Sequence, residues 1–148
     1  MGRRPRADAR SEVTVLIDTS AWVEYFRATG TPTNITLRGM NQDHQEMLVC
    51  GPVSMELKAG AKDENMLLQI DSALAAAQML PVEPHHFDVA STIYRTCRSQ
   101  GITVRSLIDC LIASVALSED VEVLHHDRDF NAIARVVPLR IHPESLAG

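Results

Sequence analysis

At 148 residues the chain fits one domain of ordinary size, and with 45% apolar and 22% charged residues it has the balance of a globular protein rather than a disordered or fibrous one. No apolar run approaches the ~20 residues needed to cross a bilayer, which excludes a membrane-spanning helix. The net charge of −5 argues against a dedicated nucleic-acid surface, although cations and local arginines still allow an acidic body to act on RNA.

Residues 1–12 carry four arginines against Asp8 and Glu12, while the remainder of the chain is acidic. This segment reads as a basic, disordered arm ahead of a single domain over 13–148. No apolar stretch follows the basic start, so no secretory leader is expected and the location is cytoplasmic. Cys50, Cys97 and Cys110 are odd in number and lack C-x-x-C spacing. They read as reduced core residues, which agrees with such a compartment.

The β-branched run 13–17 predicts a strand, and Asp18-Thr19-Ser20 after it resembles a helix N-cap. A helix over 21–28 places Trp22, Val23 and Phe26 on one face. The turn residues of 29–33 predict a loop, followed by a helix over 35–44. A second strand, 47–50, closes at Gly51-Pro52, and Pro52 suits the first turn of a helix that Gly60 would stop. Asp63 can cap a helix running to residue 77, and 79–82 reads as a third strand. Pro84 opens a helix that reaches about Gln100 before Gly101. Further helices are expected at 106–117 and 127–134, with strands at 122–124 and 139–141. Short apolar strands alternating with helices predict an α/β fold, a three-layer α/β/α sandwich around a parallel sheet. Sites in such folds lie beyond the carboxyl ends of the strands, where Asp18 and Asp127 both fall.

Asp109 is the most informative acid. Its helix, Ser106-Leu-Ile-Asp-Cys-Leu-Ile-Ala-Ser-Val-Ala-Leu117, is apolar on almost every face and should be buried. An unpaired ionised carboxylate there is costly. Ser106-x-x-Asp109 also fits a capping box, which would give the acid a purely structural job. Asp18 and Asp127 are equally compatible with N-caps, and Glu56 with an early helical turn that favours acids. Asp127 and Asp129 flank Arg128 and offer hard oxygen ligands to Mg²⁺ or Mn²⁺. His125 and His126 hint at zinc, but no other His or Cys stands at ligand spacing around them. Each acid has a structural explanation alone. Together they match what phosphodiester hydrolysis requires: carboxylates that hold a cation beside the phosphate.

Leu16-Ile-Asp-Thr-Ser-Ala-Trp22, Ser54-Met-Glu-Leu-Lys-Ala-Gly60, Ser106-Leu-Ile-Asp-Cys-Leu-Ile-Ala113 and Leu124-His-His-Asp-Arg-Asp-Phe130 resemble the four acidic motifs of PIN domains, in order and in approximate spacing. The likeness spans about 13–141 and is nearest to the VapC toxins of bacterial toxin–antitoxin pairs. It implies a PIN-like fold, Mg²⁺- or Mn²⁺-dependent endoribonuclease activity on RNA, a homodimer, and inhibition by a VapB-type antitoxin. It further implies metal binding and catalysis by Asp18, Glu56, Asp109 and Asp127, help from Asp129, and support from Thr19 and Ser20. His125 stands where many relatives carry a hydroxyl residue.

Two other functions compete. A phosphoryl-transfer protein using Asp18 as nucleophile would want Asp-x-Asp, or an acidic pair on the first strand with a later lysine. Asp18-Thr19-Ser20 and the acid-free run 13–17 offer neither. A non-catalytic PIN-like binding module would be marked by loss of an acid, and all four are present. The Trp22, Tyr25 and Phe26 helix holds three of the six aromatic residues, which points either to a partner surface or to core packing with Tyr25 at the rim.

Overall fold

A computed structural model describes residues 14–148, and the basic arm 1–12 lies outside the described residues. The chain runs β1 (Val15–Ile17), α1 (Thr19–Arg27), α2 (Pro32–Gln42), β2 (Met47–Cys50), α3 (Gly51–Ala59), α4 (Glu64–Ala75) and β3 (Gln78–Leu80). It continues through α5 (Pro84–Ser99), α6 (Leu107–Glu119), β4 (Glu122–Leu124) and α7 (Arg128–Ala134). All strand pairs are parallel, in the order β3-β2-β1-β4. Every residue of β1 and β2 is buried, and because successive side chains point to opposite faces, helices must cover both. This is the three-layer α/β/α sandwich that the alternating pattern predicts.

The strand order sets the position of the crevice. From β1 the chain builds outward through β2 and β3, then returns to place β4 on the other flank of β1. The order therefore reverses between β1 and β4, where parallel α/β folds open a cleft beyond their strand ends. Ile17 pairs with Leu124, so the residues after both strands emerge side by side.

Several boundaries differ from the sequence expectation for local reasons. The turn-like residues before α2 are themselves its cap: the Thr31 side chain accepts from Asn34 N at 3.2 Å, and Pro32 occupies the first helical turn. Strand β3 begins at Gln78 because β2 dictates the register, with Leu48 opposite Gln78 and Cys50 opposite Leu80. Pro81 then follows, which has no N–H to continue the ladder. The expected strand over 139–141 reduces to one bridge between Val123 and Ile141, ahead of Pro143. Gly60 caps α3 with φ −84°, so no left-handed glycine is needed there. Gly101 does take φ +71° after α5, a conformation that favours glycine.

Helix α6 runs through the interior, with residues 109–116 all buried. Cys50, Cys97 and Cys110 are free and buried.

Candidate active site

Strand β1 ends at Ile17, and Asp18 immediately turns the chain into α1. One carboxylate oxygen does the capping: Asp18 Oδ2 accepts from Ser20 N at 2.9 Å and from Ser20 Oγ at 2.5 Å. Ser20 Oγ in turn accepts from His126 N at 2.8 Å, which ties the ends of β1 and β4 together. The other oxygen, Asp18 Oδ1, is buried without a hydrogen-bond partner. Burial pushes the Asp18 carboxyl up to about 6, with the Ser20 bonds opposing and Glu56 adding to the rise. The N-cap reading is thus satisfied by one oxygen, and the other takes no part in it.

Asp109 lies in the first turn of α6 and is 6% exposed. Its N–H donates to Ser106 Oγ at 3.3 Å, which is half of a capping box. The reciprocal half is absent, because Ser106 N donates to Asp129 Oδ2 at 3.2 Å instead. The Asp109 carboxylate is left facing other acids, and its Oδ2 is buried without a partner. Burial first, then Asp18, Asp127, Asp129 and Glu56, raise its pKa to about 9.

Asp127 follows β4 and caps α7, its Oδ1 accepting from Asp129 N at 2.9 Å. Its backbone is held from behind by His125, whose Nδ1 accepts from Asp127 N at 3.1 Å. His125 is fully buried beside the Phe130 ring, with centroids 5.2 Å apart, and burial pushes its pKa down to about 4. The departure from a hydroxyl at this position therefore leaves Asp127 supported, by a neutral imidazole. His126 turns away toward α1 and α2, with Nδ1 3.3 Å from Thr33 Oγ1 and Nε2 3.9 Å from Glu24 Oε1. The two histidines do not converge on a common point.

Oxygen atoms of Asp109, Asp127 and Asp129 lie within 4.8 Å of one another. Glu56, on α3 just beyond β2, is near enough to raise both Asp18 and Asp109, and its Oε1 accepts from Thr19 Oγ1 at 2.8 Å. All five acids singled out from the sequence are brought to one end of the sheet. Thr19 and Ser20 each bond one of them.

Arg105 was not singled out from the sequence. Its guanidinium reaches Asp127 Oδ1 at 3.5 Å and Asp129 Oδ1 at 3.4 Å while its side chain stays 72% exposed. The available signal was its place directly before Ser106-x-x-Asp109, among acids that lacked a cation. Beside the acids, a cavity of about 410 Å³ between α1, α3 and α4 is lined by Thr19, Val23, Phe26, Glu56, Lys62 and Met66, among others.

The acids gathered at the switch point of a parallel sheet form a group that could hold a cation. Residues 15–136 match the PIN domain family. Ribonuclease VapC11 of Mycobacterium tuberculosis is 40% identical over 128 residues, covering 85% of this chain and 96% of that protein. A VapC ribonuclease of Mycobacterium bovis matches to the same extent. The chain therefore belongs to the PIN domain family, in the branch of the VapC ribonucleases. Among solved structures, DNA-bound VapBC of Salmonella typhimurium superposes with a TM-score of 0.72 at 20% identity, covering 88% of this chain and 98% of that one. VapC20 of Mycobacterium tuberculosis, a Sarcin-Ricin loop cleaving toxin, gives a TM-score of 0.60 at 16% identity, with 85% and 98% covered. These distant likenesses concern the fold.

Proposed function

We propose that this chain is an endoribonuclease that hydrolyses RNA phosphodiester bonds with Mg²⁺ or Mn²⁺, and that it is the toxin of a toxin–antitoxin pair. The observation that carries the reading is the pair of buried, partnerless carboxylate oxygens, Asp18 Oδ1 and Asp109 Oδ2, among further acids. Buried polar atoms are normally satisfied, so two orphaned acceptors in an acidic crevice fit a cation. The all-oxygen donor set suits a hard ion. Asp18, Asp109 and Asp127 would hold it, with Glu56 alongside. When bound, the ion polarises the phosphate and lowers the pKa of the attacking water.

The chain's own groups do the remainder. Glu56 spends one oxygen on Thr19 and keeps the other to accept a proton from that water. Arg105 is exposed at the rim, where its guanidinium can meet a phosphate. Incubating the purified chain with mixed cellular RNA and Mg²⁺, and sequencing the new 5′ ends, tests the activity. Equal cleavage by a parallel Asp18→Asn preparation would assign the activity to a contaminant and end the proposal. Thr19→Val should lower cleavage about tenfold, equivalent to ~1.4 kcal/mol for one lost orienting hydrogen bond. Its thermal melt should stay near the parent's.

VapB–VapC complexes among the fold's neighbours support a VapB-type antitoxin as partner, and three free, buried cysteines agree with a cytoplasmic location. Among the described residues, no helix is long and apolar enough to cross a membrane. The aromatic residues of α1 are buried to different degrees. Trp22 is in the core at 1% exposure, stacked on Phe26 at 6.1 Å and edge-on to Tyr25 at 5.7 Å. Tyr25 and Phe26 are half-buried and line an open groove with Arg38, Asn41, Leu68 and Ser72. Leu68 is 67% exposed there, an apolar anchor point for a docked segment. Tyr25→Ala, coexpressed with the product of the neighbouring reading frame, should weaken association by roughly tenfold or more. A well-folded variant that binds like the parent would remove Tyr25 from the partner surface.

A further inference from the structure

Asp129 sits in the acidic group but differs from Asp18 and Asp109. It is 4% exposed, and both of its oxygens have donors. Oδ2 accepts from Arg105 N at 3.0 Å and from Ser106 N at 3.2 Å, and Oδ1 accepts from Arg105 Nε at 3.4 Å. Its own N–H donates to Asp127 Oδ1 at 2.9 Å. One residue on α7 therefore grips the chain that enters α6 and the acid that caps α7.

We propose that Asp129 is a positioning residue of the site, which sets Asp109 against Asp127 through the amides of Arg105 and Ser106 instead of ligating the ion. This rests on the metal-site reading above. The first amides of a helix lack intrahelical partners, and an acid three residues after a Ser N-cap ordinarily turns back to bond the cap's own N–H. Asp129 takes that N–H from outside the helix. The Asp109 side chain is thereby not drawn back to Ser106, and it projects into the crevice with Oδ2 free. Arg105 holds the clamp closed from the solvent side and neutralises charge that Asp127 and Asp129 would otherwise share.

The test compares Asp129→Asn with Asp129→Ala, reading backbone amide exchange by NMR and Mn²⁺ affinity by calorimetry. Asparagine keeps a carbonyl oxygen that can accept both amides but is a poor replacement for a metal-bound carboxylate. Asp129→Asn should keep the Arg105 and Ser106 amides protected, and its Mn²⁺ affinity should stay within about threefold of the parent. Asp129→Ala should speed exchange at those two amides and weaken Mn²⁺ binding, each by about tenfold or more. If alanine prevents folding, retention of Mn²⁺ affinity by the asparagine variant decides the matter alone. Loss of Mn²⁺ binding in both variants, with both amides as slow as in the parent, would make Asp129 a ligand and overturn the proposal. A parent that binds no Mn²⁺ would instead sink the metal reading, and the exchange rates of the alanine variant would still decide the clamp.

Discussion

Asp109→Asn is expected to lower RNA cleavage by at least about a thousandfold, or ~4 kcal/mol of transition-state stabilisation, while making the metal-free chain more stable. The two effects share a cause. Burial and four neighbouring acids raise the Asp109 pKa to about 9, whereas the unfolded chain should titrate near the ordinary value of about 3.9. Between those values the folded state holds a proton that the unfolded state releases. Stability therefore falls as pH rises from about 4 to about 9, and an uncharged isostere escapes the loss. A gain of about 1–3 kcal/mol at pH 7 corresponds to roughly 3–8 °C in a domain of this size. The gain should shrink at pH 5, where the native carboxyl is cheaper to protonate. Thermal melts in EDTA at both pH values, with cleavage assayed on the same preparation, check both halves. Normal cleavage would remove Asp109 from the site. Unfolding would mean that its carboxylate anchors the helix, against the observation that Asp129 takes the Ser106 amide.

What the sequence made legible was whatever is encoded within a few residues. The β-branched run before Asp18, the all-round apolar helix carrying Asp109 and the four acids in order each carry their signal locally. The arrangement that gives them meaning is not local. Arg105 and Asp129 are 24 positions apart, and their contact exists only because α6 and α7 pack together. The capping box at Ser106 could not be resolved from spacing, because Asp109 and Asp129 compete for one N–H and only the tertiary structure decides between them. The loop expected before α2 shows the same limit at short range: Thr and Pro mark turns and also begin helices. Trp22 and Tyr25 share a helix but not a fate, since the face each presents depends on what packs against it.

The metal should remove the pH dependence that the free protein shows. Chelation is expected to suppress cleavage by at least about a thousandfold, with Mg²⁺ or Mn²⁺ restoring it, because the crevice offers hard oxygen donors. Ion binding requires the carboxylates to be charged, so it must expel the protons that burial retains. Asp109, at about 9, is protonated in the free chain at neutral pH, and Asp18, at about 6, joins it in mild acid. From about pH 6.5 to pH 8 one proton leaves per ion bound, so the affinity for Mn²⁺ should rise about tenfold per pH unit. Below about pH 6 Asp18 adds a second proton and the slope should steepen toward two. Melting temperature should accordingly fall with rising pH in EDTA and stay nearly level over about pH 6.5 to 8 when Mn²⁺ is saturating, because the gain in affinity offsets the loss of apo stability proton for proton. Calorimetry in buffers of different ionisation enthalpy counts the released protons directly. An affinity that stays flat between pH 6.5 and pH 8 would mean that Asp109 is already ionised in the free chain, and its crowding by Asp18, Asp127, Asp129 and Glu56 would then have to be relieved by something other than a proton.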